Sequence, residues 1–279
     1  MREREVFLKI TADYNNKTLS EYFLGYRISK AYINNLFNTK KIILNGGAVN
    51  AGNVKVFQGD MVQIKLPVDN IIPFKFNVKI IYEDEWIIVI NKPSNILVHS
   101  DGQTSETLTN AVNYYLNKNN DICDAYPVHR LDYETTGIVI FAKNKLALAF
   151  LSVAIEEHEL VKEYVCLCHG KFSKMKDVLS FPIGKDRHSN KQIVVKTGKE
   201  AKSYYEVVEN NNISKVKVKI EHGRKHQIRV HLAHINHPIL GDKLYGNDHV
   251  DGLKLHFKKV VFIHPYTREE LVFVCKEDF

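Results

Sequence analysis

No C-x-x-C pair occurs in this 279-residue sequence, and its four cysteines, Cys123, Cys166, Cys168 and Cys275, are scattered. That spacing indicates neither a zinc site nor a disulfide framework. Cys166 and Cys168 alternate within Tyr164-Val165-Cys166-Leu167-Cys168, so they are expected on one face of a strand, as core packing. No apolar run approaches the ~18 residues that a transmembrane helix needs. The opening Met1-Arg2-Glu3-Arg4-Glu5 leads into no apolar stretch of the secretory kind. A cytoplasmic protein without membrane contact is therefore expected. No internal repeat or low-complexity segment is present. His231, His234 and His237 have no acidic partner in the H-E-x-x-H manner, and Pro238 breaks the helical pattern at the third histidine, so no metal is expected there.

What is present is ordinary for a globular chain: 44% hydrophobic and 25% charged residues. The charge is uneven. Residues 1 to 66 hold ten Lys and Arg against five Asp and Glu, a surplus of five within a net charge of +7 for the whole chain. A basic N-terminal region suggests a polyanionic partner, most simply a nucleic acid, held through phosphate contacts and counterion release.

The first 66 residues read as one small unit. Thr18-Leu19-Ser20-Glu21 fits a capping box, with Leu19, Tyr22 and Phe23 as a short apolar face before Gly25. A second helix starts at Ser29 and turns Ile33, Leu36 and Phe37 one way. Ile42-Ile43-Leu44 before Asn45-Gly46-Gly47 signals a hairpin, and Val62, Ile64 and Leu66 alternate as a strand. Pro67 to Pro73, with Val68-Asp69-Asn70 between the prolines, reads as a linker. After it, two apolar strands flank the acidic turn Glu83-Asp84-Glu85, and a helix is expected from about Thr107 to Leu116.

Ala125 to Asn144 combines charge, turn and core. Ile138-Val139-Ile140-Phe141-Ala142 is a continuous apolar run opened by Gly137, as in a fully buried strand. Asp132 stands just before it, separated by Thr135 and Thr136, which favour tight turns. A carboxylate fixed by such a scaffold suits a functional role; an Arg130–Asp132 ion pair bracing the loop would account for the same charges. Asn144 then caps a helix whose apolar face is Leu146, Ala149, Phe150, Val153 and Ala154. Tyr164 precedes the apolar part of the next strand, where a phenol packs, stacks on a base or moves a proton. Leu179 to Lys199 is polar and basic and reads as a hairpin insertion able to touch phosphates. From Arg224 onward a helix is expected with Ile228, Leu232 and Ile235 on one face, and either Arg224 or Arg229 on it can meet Asp132.

Three blocks carry a resemblance. Two short helices followed by β-hairpins, ending in the turn Gly59-Asp60, resemble the small RNA-binding domain named after ribosomal protein S-four. His129-Arg130-Leu131-Asp132 with Thr135-Thr136-Gly137 resembles the H-R-L-D-x-x-T-S-G signature of the RluA-type pseudouridine synthases. Gly223-Arg224-x-His226-Gln227-Ile228-Arg229-x-His231, with Pro238-Ile239-x-Gly241-Asp242, resembles the second signature of that family. Thr136 stands where serine is usual and Lys225 where threonine is common; both remain polar.

The resemblance implies an α+β fold: a mixed, largely antiparallel sheet with flanking helices and a central RNA cleft at residues 73–279, behind an S-four-like RNA-binding domain and linker at 1–72. It implies an isomerase that detaches uracil from ribose and reattaches it through carbon five, with no metal or organic cofactor; a monomer is the default expectation, since the sequence carries no sign of oligomeric state. Asp132 would be the catalytic aspartate, Tyr164 would stack on uracil and assist deprotonation, and Arg229 would pair with Asp132. Arg130 would enter the RNA to displace the target nucleotide. His129, Lys30, Lys40, Lys41, Arg224 and Lys225 would make further RNA contacts, which give affinity with little base information. Ribosomal RNA, from the large subunit, is the expected partner ahead of transfer RNA. One carboxylate suffices for this chemistry, since an isomerase keeps its leaving base, whereas glycoside hydrolysis needs two carboxylates and a delivered water. The rival is a catalytically silent RNA-binding or ribosome-assembly protein, marked by loss of the aspartate or arginine in the signatures; this sequence retains both.

Overall fold

The computed structural model describes residues 3–69, 71–119, 121, 123–189, 191–246 and 250–279; expectations touching Met1, Arg2 and Asn70 lie outside them. Near the N-terminus four antiparallel strands lie in the order Glu3–Lys9, Met61–Pro67, Ile42–Leu44, Gly47–Ala48. Helices α1 (Leu19–Leu24) and α2 (Lys30–Asn38) accompany them. The capping box at α1 is complete: the Glu21 N–H donates to the Thr18 hydroxyl at 3.2 Å, and the Thr18 N–H donates to the Glu21 carboxylate at 2.7 Å. Ser29 caps α2, and the apolar faces expected of both helices are buried.

The strand Glu3–Lys9 is not foreseen by the sequence reading. Its inward residues Val6 and Leu8 alternate correctly, but charges at Glu3, Arg4, Glu5 and Lys9 disguise the period. Pairing with Met61–Pro67 has a consequence for a predicted RNA contact: the Lys41 ammonium donates to the Glu3 carboxylate, so part of its charge is balanced within the fold.

Among the described residues the largest sheet has ten strands. Eight run in the spatial order Lys176–Leu179, Ser203–Glu209, Ile213–Ile220, Val161–His169, Leu255–Ile263, Thr136–Ala142, Ile87–Lys92, Lys79–Glu83. Glu270–Val274 adds to Leu255–Ile263, and Tyr126–Pro127 to Thr136–Ala142. Thr136–Ala142 runs parallel to Leu255–Ile263, and the other pairings are antiparallel. The sheet is therefore mixed and mostly antiparallel, with few helices: α3 (Leu108–Lys118), α4 (Lys145–Glu156) and α5 (Gln227–His234). Asn144 caps α4 as expected and Thr107 caps α3, each accepting a backbone N–H three residues on. No helix among the described residues is long and apolar enough to cross a membrane.

One apolar core runs through both sheets, and the Tyr26 ring lies near-parallel to Trp86 with centroids 5.9 Å apart. Polar ties fix the two parts: Arg27 donates to both Glu159 carboxylate oxygens at 2.9 Å, and Arg268 donates to the Gly25 carbonyl at 2.8 Å.

Gly137 governs how this sheet delivers the Asp132 turn. It pairs with Phe257 on one side and Lys92 on the other, at φ 111°. A Cβ there would sit 2.4 Å from the Phe257 carbonyl oxygen. Contact and dihedral both demand glycine. Gly137→Ala is expected to destabilise the fold by roughly 3 kcal/mol or more, read as a lowered thermal-unfolding midpoint.

Candidate active site

Row by row, the sheet assembles the site. Gly137 pairs with Phe257, and Phe257 pairs with Tyr164 across the next strand. The register slips by one residue between Glu163 and Tyr164, a bulge of the kind that re-aims a side chain. The Tyr164 ring consequently stacks on Phe257, centroids 4.5 Å apart and planes 11° apart. Tyr164 is buried rather than half-exposed. Burial, and then the charge of Asp132, push its phenol well above the ordinary tyrosine range, so it stays protonated at neutral pH.

Asp132 occupies the turn before Thr136–Ala142, closed by a Thr135 N–H to Asp132 carbonyl bond of 3.1 Å. Beneath it lies Lys92, fully buried, whose ammonium donates to the carbonyls of Thr135 at 2.8 Å, Tyr133 at 2.9 Å and Pro93 at 3.0 Å. Burial pushes this amine down to about 7, against the pull of Asp132. Three carbonyl acceptors use all three ammonium hydrogens and so favour the charged form. In the sequence Lys92 stands simply at the end of an apolar strand, before Pro93. Lys92→Met would leave these carbonyls unpaired and is expected to cost on the order of 2–3 kcal/mol, measured by denaturant unfolding, with the Asp132 turn loosened.

The Asp132 carboxylate meets two groups from the C-terminal signature. Arg229 Nη1 is 3.5 Å from Oδ2, and His226 Nε2 is 3.8 Å from Oδ1. Of the two arginines considered, Arg229 makes the contact; Arg224 does not, because the helix starts later than expected. His226 adopts φ 57°, and α5 begins only at Gln227. The Gln227 side chain accepts from the Arg224 N–H at 2.9 Å and donates to the Lys202 carbonyl at 2.8 Å, holding 223–226 as a turn. Arg224 points its Nε to the Glu200 carbonyl at 2.9 Å. The Arg130–Asp132 brace is likewise absent: among the described residues Arg130 makes no ion pair and is exposed.

Arg229 has a second, closer partner. Its Nε and Nη2 each donate at 2.8 Å to the two oxygens of Asp242, a bidentate pair in which both residues are buried. Although burial opposes its charge, Asp242 and then Asp132 hold the guanidinium above its ordinary value. Asp242 in turn accepts the N–H groups of Leu244 and Tyr245 at 3.0 and 3.1 Å. Gly241, at φ 77°, allows this turn to close against the Gly252 backbone. The Gly241-Asp242 pair was visible in the sequence as part of a signature but had been given no task.

Two cavities meet at Asp132. The inner one is lined by Asp132, Thr135, Tyr164 and Ile228; the outer, of about 500 Å³, by Leu97, Asp101, Lys225 and Lys243. Arg130, Asp132, His226 and Arg229 border both. The outer volume is in the range of small-ligand pockets. Arg224 borders the inner cavity. The Thr135 hydroxyl is buried without a hydrogen-bond partner among the described residues. His129 sits behind the turn, its Nε2 accepting the Ile140 N–H at 3.2 Å, and burial pushes its imidazole down to about 4. Lys30, Lys40 and Lys41 line neither cavity; Lys30 and Lys40 are exposed on the N-terminal unit.

No group of three metal-ligating side chains occurs among the described residues. His231 is held between the Ser203 hydroxyl and the Phe181 carbonyl, each at 2.9 Å, and His237 stacks on Phe172. Cys166 and Cys168 share a strand face with sulfurs 3.6 Å apart, both buried and unbridged.

Known proteins are similar to this chain. A profile of the RNA pseudouridylate synthase family matches residues 86–234. The chain is 37% identical over 257 residues to the RNA pseudouridine synthase YhcT of Bacillus subtilis, covering 88% of this chain and 84% of that one. It is 34% identical over 239 residues to ribosomal large subunit pseudouridine synthase D of Haemophilus ducreyi, covering 83% and 72%. In fold it is similar to human RNA pseudouridylate synthase domain containing 1, with a TM-score of 0.62 over 73% of this chain and 84% of that one, at 24% identity.

Proposed function

Because the chain belongs to the RNA pseudouridylate synthase family and is thus an isomerase of uridine in RNA, we propose that Asp132 is its reacting carboxylate and large-subunit ribosomal RNA its substrate. The observation that carries the site is convergence: Asp132, Tyr164 and Arg229 come from three distant parts of the sequence and border one cavity. The ribosomal target is supported by the printed activity of similar proteins, among them synthase D of Haemophilus ducreyi.

Isomerisation breaks the bond from ribose C1′ to uracil N1, turns the base, joins C1′ to C5, and moves the C5 proton off as N1 gains one. No net atom is gained or lost. Asp132, as carboxylate, either bonds to C1′ or stabilises the cationic sugar, with the Arg229 guanidinium beside it at 3.5 Å. Tyr164 has one face covered by Phe257, leaving the other for the uracil ring. Its hydroxyl, kept protonated by burial, relays the C5 proton only once the new bond has made that proton acidic. A base stacked in RNA must first be turned out, at a cost of a few kcal/mol; Arg130, exposed at the rim, fills the gap left behind.

Residues 1–72 act in this reading as an S-four-like RNA-binding module, supported by the two capped helices and the exposed Lys30 and Lys40. Residues 73–279 form the catalytic domain with its RNA cleft, in which His129 braces the turn while Arg224 and Lys225 contact phosphate. The protein works as a cytoplasmic monomer, since one chain supplies every group named above.

The test is tritium release from RNA labelled at uracil C5. Release from large-subunit ribosomal RNA transcripts, with little from transfer RNA, is the expected result. Release from transfer RNA alone would overturn the target, and release from neither would overturn the activity.

A further inference from the structure

The signatures bring an imidazole to the site without giving it a role. His226 Nε2 faces Asp132 Oδ1 at 3.8 Å, while its Nδ1 lies 2.8 Å from the Tyr245 hydroxyl. The backbone N–H of Gln192 donates to that same hydroxyl at 2.8 Å. Gln192 opens the strand Gln192–Val194, half of the basic hairpin that pairs with Ile183–Lys185.

This chain of contacts settles where the hydrogens go. Burial lowers the imidazole below its ordinary value, against the opposing charge of Asp132, with Arg229 and Lys225 adding to the effect, so one ring nitrogen carries a hydrogen at neutral pH. A hydrogen on Nδ1 would turn the Nε2 lone pair toward a carboxylate, which is repulsive. A hydrogen on Nε2 points a donor at Asp132 and lets Nδ1 accept from Tyr245. Tyr245 is suited to donate, because its oxygen already accepts from Gln192.

We infer that His226 is a positioning residue for Asp132: held by Tyr245, its Nε2–H and the Arg229 guanidinium grip the two carboxylate oxygens separately and fix the plane that Asp132 presents to ribose C1′. The 3.8 Å separation closes to a hydrogen bond when RNA fills the cavity, as catalytic contacts commonly do. The basic hairpin gains a task as well, because its backbone anchors Tyr245 and links RNA docking there to the carboxylate. The inference rests on the reading of Asp132 as the reacting group.

The experiment compares single-turnover rates and RNA affinities of the full-length protein and its Asp132→Asn, His226→Ala, His226→Gln and Tyr245→Phe variants on C5-tritiated RNA. His226→Ala is expected to lower the rate about 10²-fold, the scale of a misplaced reacting group, with RNA affinity unchanged. His226→Gln, whose amide N–H can stand in for Nε2–H, is expected to recover most of that loss, and Tyr245→Phe to fall between. Equal defects in the Ala and Gln variants would mean a merely structural histidine and overturn the inference. So would a wild-type rate in His226→Ala or in Tyr245→Phe, the latter deciding the matter if His226→Ala does not fold. If Asp132→Asn stays active, the reading of the site itself fails and this inference with it.

Discussion

Asp132→Asn is expected to bring pseudouridine formation down by at least about 10⁴-fold, the scale on which loss of a nucleophile is felt, while the protein folds normally and still binds RNA. The structure makes this substitution unusually clean. Asparagine keeps the shape of the side chain, and the turn is held by backbone groups, through the Thr135 N–H and the Lys92 ammonium. Arg229 is not orphaned either, because its two shorter hydrogen bonds go to Asp242. Removing a negative charge between Arg229 and His226 leaves the cavity more positive, so RNA affinity should hold or rise. Tritium release and filter binding on one preparation check both halves. Retained activity would remove Asp132 from the mechanism, and lost binding would mean that the site had collapsed.

Much of this was legible because the local signals agree with the fold. Capping residues Thr18, Ser29, Thr107 and Asn144 each start a helix, and the run Ile138–Ala142 is wholly buried. The Asp132 turn could be read because its threonines and glycine sit directly before that run. What stayed hidden depends on pairing across the sheet. Lys92 looks like any lysine before a proline until the register sets it opposite Gly137, where its amine reaches the carbonyls of the turn. Tyr164 lies where it does because a bulge aligns it with Phe257, and nothing in Lys162-Glu163-Tyr164 announces a bulge. Choosing between Arg224 and Arg229 needed the start of α5, which the left-handed His226 delays past any helical-period estimate. Glu3–Lys9 escapes the sequence reading because the charged Arg4 shares the inward face with Val6 and Leu8, donating to the Glu85 and Lys143 carbonyls, and because the partner strand lies more than fifty residues away.

Asp242 carries the other large effect. Asp242→Asn removes the charge that Arg229 grips at 2.8 Å through two nitrogens, and leaves a buried guanidinium with only Asp132 at 3.5 Å. Breaking a buried pair from one side costs about 3–5 kcal/mol, and at roughly 2–4 °C per kcal/mol for chains approaching this size the midpoint should fall by roughly 6–20 °C. Activity should fall too, because Arg229 then turns fully to Asp132 and drags the carboxylate off its line. Stability and chemistry separate in the double variant Arg229→Met with Asp242→Leu. Replacing both partners by apolar groups of similar size removes the buried, unpaired guanidinium, so part of the thermal loss should be recovered, less what the orphaned Leu244 and Tyr245 N–H groups cost. Asp132 would still lack its cation, and isomerisation should stay near background. A double variant that is both stable and active would show that Asp132 works without Arg229, and the ion pair would then be a device of folding alone.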